Sequence, residues 1–493
     1  MSDIDFTVKT INDPVHGSIK LSETELAVID TPTFQRLRGL KQLGLADLAF
    51  PGATHTRFAH SLGVLHIVSQ MLDAIQRNYH YRTKEDGPFT PEEKQKVRLA
   101  ALLHDIGHLP LSHAMEFPIQ RLLKEKSKPA AKAKVEAPSG RPKTFGVLDD
   151  TANAPRDKKF KHELFGMNIL VEREDIAKAI AKFNDKNEIG MIITKAHIDN
   201  FKYSQFVTGT LDADRVDFLL RDSLAAGVSY GNIDLKYLLD NFDYDKDTGQ
   251  FYIAYSGIHA LEHFITARFF LYNVTYHKTV MGFELLAKYA FYKMAKDGIP
   301  GLLSSEEQLV GLLSDTDKFL QFNDQYFWSK LLEWKTTNPF DDAVRKALQL
   351  RYPLRELYSE RELLEYPHGS GSSTPFRVLN TRLYNDVAFD DILKKHNIDR
   401  ANLAMLQNDI DFEETAPLKD RAEQPDVKKE WALCKVFYDG EIRPLIDVPG
   451  SIIHKLSQLN LHVRRLYYFP LNSGQILNRD NIRREIKALG AEN

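Results

Sequence analysis

The chain has 493 residues, 43% of them hydrophobic and 27% charged, with a formal net charge of -3 at pH 7. That length supplies a sizeable core for one large domain or two, and the near-neutral balance excludes a surface built for general polyanion binding. A single cysteine, Cys434, excludes an internal disulfide and a cysteine-built metal cluster and points to a reducing compartment, taken as cytoplasmic.

Residues 1–10 lack the apolar core of a signal peptide, and no uninterrupted apolar run reaches membrane-spanning length. Residues 10–21 (TINDPVHGSIKL) set Asn-Asp-Pro and a glycine between short apolar pairs, which predicts a small opening hairpin. Ser22 with Glu25 predicts a capped helix start, and Pro32 starts a second helix running through FQRLRGLKQLG. Gln35, Arg36, Arg38 and Gln42 on that helix form either a solvated face or a set converging on phosphate or base. Residues 50–63 (FPGATHTRFAHSLG) place His55 and His60 on either side of Arg57 and lead into a helix from about residue 64 to 75.

Residues 98–113 (RLAALLHDIGHLPLSH) are the centre of the sequence. Seventeen histidines in the chain give about 0.3 per ten positions, yet His104, His108 and His113 fall within ten. Thr90, Pro91 and Glu93 predict a capping box, and Val97, Ala101, His104 and His108 follow helical spacing until Gly107 and Pro110 break it. Alone, His104-Asp105 reads as a hydrogen-bonded core histidine beside a polar helix end. A functional reading needs more ligands and acid–base groups elsewhere.

Residues 124–159 are rich in Lys, Ala and Pro and read as a flexible insertion, bounded at about 121–160. His162 and Glu163 then open a helix. In residues 210–227 (TLDADRVDFLLRDSLAAG), Asp217 and Arg221 read as an intrahelical ion pair, while Asp214 is preferred as a ligand. Residues 241–255 predict a hairpin around DKDTG, followed by helices to about residue 334. The Arg268, Tyr272, Tyr276, His277 and Lys278 stripe fits helix packing with a wet edge as well as it fits a nucleotide. From about residue 431 two strands around Asp439-Gly440, a helix, a strand and a closing helix form a small α+β appendage. The expected division is a core over 1–335 and a regulatory or oligomerisation region over 336–493.

If His60, His104, Asp105 and Asp214 meet, two imidazoles and two carboxylates suit Mn²⁺, Mg²⁺ or Fe²⁺ and accommodate Zn²⁺. His108, His113 and His162 are then candidates for proton transfer, and Arg57 and Arg215 for phosphate. Spacing alone does not bring these residues together.

The ordered set His60, His104-Asp105, Asp214 resembles the HD-domain metal phosphohydrolases. TINDPVHG, IDTPTFQRLRGLKQLG, FPGATHTRFAHSLG, LLHDIGHLPLSH and LDADRVDFLLRD, over roughly residues 9–278, are similar to the dGTPase-like deoxynucleoside triphosphate triphosphohydrolases, including vertebrate members with SAM and HD domains. No SAM domain is evident. The resemblance implies a mainly α, HD-type helical fold, with the α+β appendage at the C-terminal end. It implies hydrolysis of a dNTP to deoxynucleoside and inorganic triphosphate, with the divalent ion on His60, His104, Asp105 and Asp214.

It also matches His108, His113 and His162 to the catalytic pocket, with Glu116 where an Asp usually accompanies the histidine. Arg57 and Arg215 match phosphate-contacting positions; Gln42, Leu43 and Asp222 match positions beside the sugar, where Phe218 replaces a Tyr. Asn12, Asp30, Gln35 and Arg38 match residues around an activating GTP, dGTP or other dNTP. A homo-oligomer, dimer-based or tetrameric, is expected, with no membrane partner; nucleic acid stays open as a partner without being the expected one. Two alternatives stay open. One is an HD phosphohydrolase for another nucleotide: a nucleotidase, or a hydrolase of cyclic dinucleotides or alarmones. The other is a nucleotide-sensing or nucleic-acid-binding module with a vestigial site.

Overall fold

An antiparallel hairpin, β1 (Lys9–Asp13) and β2 (Gly17–Leu21), opens the fold; Asp13 Oδ1 accepts from the backbone of Val15 and His16 in the turn, as asparaginyl and aspartyl turns do. The structure is a computed structural model that describes residues 8–127, 162–181, 186–194, 201–365, 387–411, 434–456, 459–470 and 477–491. Ser22 and Glu25 form the expected reciprocal cap of α1 (Glu23–Ile29). Pro32 starts α2 (Pro32–Gln35), but the expected long helix tightens into a 3-10 turn over Arg36–Gly39. Arg36 is buried there and bound to core carbonyls, so the chain turns inward instead of continuing as a surface helix.

α3 (Arg57–Thr83) extends beyond the apolar stretch at both ends. Its first turn carries Arg57 and His60, buried through polar partners that a hydrophobic period does not register. α3 is long and apolar enough to cross a membrane, but 72% of its apolar window is buried within the protein. Val64, Leu65, Ile67, Val68 and Met71 are fully buried, each contributing about 1.5–3 kcal/mol by leaving water.

α4 (Pro91–Leu103) starts at the Thr90–Glu93 capping box and stops with His104 as its C-cap, earlier than the helical spacing through His108 suggests. The segment that follows has two non-glycine residues at positive φ, Leu111 and Ser112, both at 55°. Such conformations persist only where surroundings hold them, and the Leu111 N–H donates to Asp324 Oδ1 at 2.8 Å. α5 (His113–Ser127) runs into the start of the expected insertion; the remaining residues of that insertion, 128–160, lie outside the described residues.

α6 (His162–Glu172) begins where His162 and Glu163 predict it. α7 (Glu174–Ala179), α8 (Lys186–Thr194) and α9 (Phe201–Thr208) follow. α10 (Ala213–Ala226) is capped by Asp212 and closed by Gly227 at φ 71°. After α11 (Leu235–Asp240), the predicted hairpin appears as β3 (Phe242–Asp245) and β4 (Gln250–Ala254). Helices continue through α12 (Ile258–Thr275), α13 (Lys278–Lys296), α14 (Glu306–Leu312), α15 (Thr316–Gln321), α16 (Asp324–Glu333) and α17 (Pro339–Leu350).

The C-terminal portion adds β5 (Arg355–Glu365), α18 (Val387–Lys395), β6 (Leu403–Asp411), β7 (Lys435–Tyr438), β8 (Glu441–Pro444), α19 (Ile452–Leu456), β9 (Leu459–Tyr468) and α20 (Arg479–Ala491). β7 and β8 turn at Asp439-Gly440, both at positive φ, and β7 runs parallel to β4 to give the order β3-β4-β7-β8. β5 and β6, absent from the sequence reading, flank β9 antiparallel. A core cluster with Leu357, Phe389, Leu466 and Ile482 joins that sheet to α18 and α20. The fold is thus mainly α with small sheets, two of them involving the C-terminal portion.

Candidate metal centre

Packing of α3 against α4 and α10 brings His60, His104, Asp105 and Asp214 to one place. His60 Nε2 lies 3.0 Å from Asp214 Oδ1 and 3.8 Å from Asp105 Oδ2. His104 Nε2 lies 3.3 Å from Asp105 Oδ1 and 3.7 Å from Asp214 Oδ1. The His104 Nδ1–H donates to the Ala101 carbonyl at 2.8 Å, which fixes the tautomer and turns the Nε2 lone pair inward. That Nε2 is buried and without a hydrogen-bond partner. An orphaned imidazole nitrogen facing carboxylates is a donor set that fits a divalent cation such as Mn²⁺, Fe²⁺, Mg²⁺ or Zn²⁺.

Electrostatics agree with that fit. Burial alone would depress the His60 imidazole, but hydrogen bonds to Asp214 and Asp217 push it up to about 10. Burial would raise the Asp105 carboxyl, yet Arg57, His104 and His108 hold it well below the usual carboxylate range. For Asp214, the neighbouring imidazoles of His104 and His60 likewise outweigh burial and hold its carboxyl below the usual range.

A second cluster adjoins the first. His108 Nε2 lies 3.1 Å from Asp105 Oδ1, and the His108 ring stacks on His162 with centroids 3.8 Å apart. Glu116 Oε1 accepts from His113 Nδ1 at 3.1 Å and from His162 Nδ1 at 3.0 Å. Burial, together with Arg57 and His162, holds the His108 imidazole well below its ordinary range despite Asp105. Arg57 donates to Asp105 Oδ2 at 2.5 Å and to Ser112 Oγ at 2.9 Å, so its guanidinium joins the two clusters.

The other singled-out residues are distributed more widely. Arg215 donates to Asp212 at 2.7 Å and to the Gly209 carbonyl. The Gln42 carbonyl is 3.4 Å from Arg57 Nη2, and buried Asp222 pairs with His55 at 2.8 Å. Leu43 and Phe218 are half-buried at the edge of the core. Gln35 donates to the Ile29 carbonyl and accepts from Arg38 Nε, both at 2.7 Å, while Arg38 lies 3.6 Å over the Phe58 ring. Asp30 is exposed at the end of α1, next to Ile29. Exposed Asn12 accepts a hydrogen bond from the Ser18 hydroxyl at 3.4 Å.

The positioning roles of four residues escaped the sequence reading. Asp217 does pair with Arg221, but it also accepts from His60 Nδ1 at 2.7 Å and His16 Nε2 at 2.5 Å. The hairpin turn carrying His16 therefore reaches the underside of the metal-facing imidazole. Arg36 donates to the carbonyls of Ile106 (2.7 Å), His108 (3.0 Å) and Phe322 (2.9 Å), and Asp324 accepts from the backbone of Leu111 and Lys41. Together they brace the turn that carries Asp105 and His108. Arg36 sits beside Gln35, and its burial alone would have been the signal.

Two glycines are needed for close approach. A Cβ on Gly63 would lie 1.8 Å from Asp217 Oδ1, and one on Gly107 would lie 2.1 Å from the His162 carbonyl and 2.4 Å from Gly166 N. Gly107 looked like a helix breaker; its larger effect is to seat α6 against the turn. Gly107→Ala is expected to destabilise the fold by roughly 1–3 kcal/mol, because rigid backbone must move. Chemical denaturation measures this, and a loss below about 0.5 kcal/mol would mean that α6 yields freely.

Residues 57–198 match the HD domain family model. The chain is 29% identical over 330 residues to an uncharacterized protein of Methanocaldococcus jannaschii, covering 66% of this chain and 57% of that one. It spans a little over half the length of the uncharacterized relatives it matches. Over 110 residues it is 42% identical to the deoxynucleoside triphosphate triphosphohydrolase SAMHD1 of Homo sapiens, covering 22% of this chain and 17% of that protein. A crystallised phosphohydrolase of Bacteroides thetaiotaomicron shares the fold, with a TM-score of 0.61 and 22% identity over 94% of this chain and 100% of that one.

Proposed function

We propose that this chain, which carries an HD domain, is a metal-dependent phosphohydrolase that cleaves a dNTP into deoxynucleoside and inorganic triphosphate. The observation that carries the reading is the meeting of His60, His104, Asp105 and Asp214 beside a histidine–glutamate cluster. Local similarity to SAMHD1 supports the choice of substrate. A divalent ion held by those four residues supplies Lewis acidity and an acidified water.

The rest of the chemistry falls to the chain's own side chains. Cleavage between the α-phosphorus and the 5′-oxygen needs one group to take a proton from water and another to return one to the departing oxygen. His108, His113 and His162, linked through Glu116 and stacking, are the groups for that transfer. Arg57 and Arg215 neutralise phosphate charge, each exchanging an existing carboxylate partner for phosphate oxygens. Gln42, Leu43, Phe218 and Asp222 border the sugar. His55 holds the Asp222 carboxylate in one orientation.

Asp30, Gln35 and Arg38, with Asn12, receive an activating guanine nucleotide or dNTP, and residues 336–493 serve regulation and assembly of a cytoplasmic dimer- or tetramer-based oligomer. The test is incubation of the purified chain with each dNTP, alone and with GTP or dGTP, in Mn²⁺ or Mg²⁺. Inorganic triphosphate is the expected product, and Asp30→Ala is expected to remove dependence on the guanine nucleotide. Release of only mono- or diphosphate reassigns the chain to another nucleotide. Unchanged activation in Asp30→Ala removes the activator site.

A further inference from the structure

We propose that the cavity bounded by residues 301–303 and by α14, α15 and α16 binds an uncharged nucleoside and relays its presence to the turn that carries His108. The cavity measures about 760 Å³, within the range of small-molecule sites, and shares no lining residue with the metal centre. Its walls are pinned to one another. The Tyr326 hydroxyl accepts from the Leu303 N–H at 2.6 Å and donates to the Gly301 carbonyl at 2.7 Å, while Lys330 donates to the Pro300 carbonyl at 3.0 Å. The space is therefore held open by hydrogen bonds between α16 and the loop before α14.

The lining selects for a neutral ligand. Lys318 pairs with Asp315 at 2.7 Å and Lys330 with Glu333 at 2.8 Å, so each ammonium that lines the cavity is matched by a carboxylate lining it too. A triphosphate meets no net positive charge there. Leu303, Leu312 and the Tyr326 ring supply apolar surface, and Gln321, Asn323 and Gln325 set side-chain amides around it. An amide offers a donor and an acceptor side by side, the pattern that pairs with the edge of a nucleobase. The deoxynucleoside released by the proposed reaction is a neutral, base-bearing molecule of this kind; that link rests on the substrate reading given above.

The relay runs through three consecutive residues. The Phe322 carbonyl accepts from Arg36 at 2.9 Å, Asn323 lines the cavity and caps α16, and Asp324 accepts from Leu111 at 2.8 Å and Lys41 at 3.0 Å. Asn323 is also wedged against Gly39, where a Cβ would lie 2.7 Å from its Nδ2 and 2.8 Å from its Cβ. A ligand that displaces Asn323 therefore moves Gly39 or Asp324 with it. The far end of the relay is sensitive, because Leu111 and Ser112 keep φ at 55° only while their surroundings hold them. Ser112 Oγ accepts from Arg57 at 2.9 Å, so the displacement reaches a group proposed to meet phosphate.

The test reads binding and motion rather than turnover. In equilibrium dialysis the full chain is expected to bind thymidine or deoxyadenosine with a Kd of about 0.1 mM, the strength that about eighteen non-hydrogen atoms support. Saturation is expected to change amide hydrogen exchange in the peptide carrying Leu111 at least about threefold. Gly311→Leu fills the cavity: a Cβ there meets no atom within 4 Å, and leucine suits a helix better than glycine. That variant is expected to weaken nucleoside binding at least about tenfold and to remove the exchange response, as is Gln321→Ala/Gln325→Ala, the second variant should the first not fold. No binding at about 10 mM nucleoside, or unchanged binding in both folded variants, overturns the proposal. Cavity-dependent binding with no change at Leu111 overturns the relay. Cavity-dependent binding by a chain that hydrolyses no dNTP keeps this site and removes only its link to the reaction product.

Discussion

His104→Gln/Asp105→Asn is expected to slow triphosphate release by at least about 10³-fold and to abolish tight binding of a divalent ion. The first change removes the imidazole nitrogen that faces Asp105 and Asp214 with no hydrogen-bond partner of its own. The second removes the charge that both His104 and Arg57 face. Losing Lewis acidity and an acidified water together costs about 4 kcal/mol of transition-state stabilisation, which is the stated factor.

The isosteric choices matter, because Arg57 is buried and donates to Asp105 at 2.5 Å. Truncation to alanine would leave that guanidinium without its charged partner and confound activity with unfolding. Thermal melts in excess chelator separate the two effects. A folded double variant that retains both metal and turnover would remove the metal centre from the mechanism.

How much of this arrangement the sequence discloses depends on the range of the interaction. Ser22 with Glu25, Thr90 with Glu93, and Asp439-Gly440 mark their caps and hairpin correctly, since each motif satisfies its own backbone within a few residues. His60, His104, Asp105 and Asp214 are visible as chemistry, but their meeting depends on how three helices pack. β5 and β6 were missed because both draw their pairing from β9, about 100 and 50 residues further along the chain.

Arg36 and Asp324 show the same limit in polar form. A buried arginine on a short turn looks like any solvated arginine until its acceptors, the carbonyls of Ile106, His108 and Phe322, are in view. Asp324 looks like an ordinary first-turn acid, yet it holds Leu111 in a conformation that a leucine rarely adopts. Because Arg36 lies between Gln35 and Arg38, a ligand that shifted those two would also pull on the carbonyl of His108. The activation proposed above would thereby have a physical route to the proposed catalytic cluster.

Asp217→Ala carries the other large expected effect, roughly 3 kcal/mol of stability and a 10–100-fold loss of metal affinity. Asp217 is fully buried and accepts from His16, from His60 Nδ1 and twice from Arg221. Helical spacing to Arg221 accounts for that pair locally, and so hides the two longer-range imidazoles. Arg221 keeps Asp13 as a partner at 2.8 Å, which limits the cost, whereas His60 loses the carboxylate that orients its ring. Asp217→Asn separates shape from charge: an amide oxygen still accepts from Nδ1, so stability falls by only about 1 kcal/mol, while the weaker acceptor leaves His60 a poorer ligand. Mn²⁺ titration and thermal melts of both variants, with and without metal, are expected to rank alanine below asparagine below the parent chain. Unchanged Mn²⁺ affinity in a folded Asp217→Ala variant would show that His60 is held by the packing of α3 alone, and the hairpin carrying His16 would then lose its link to the metal centre.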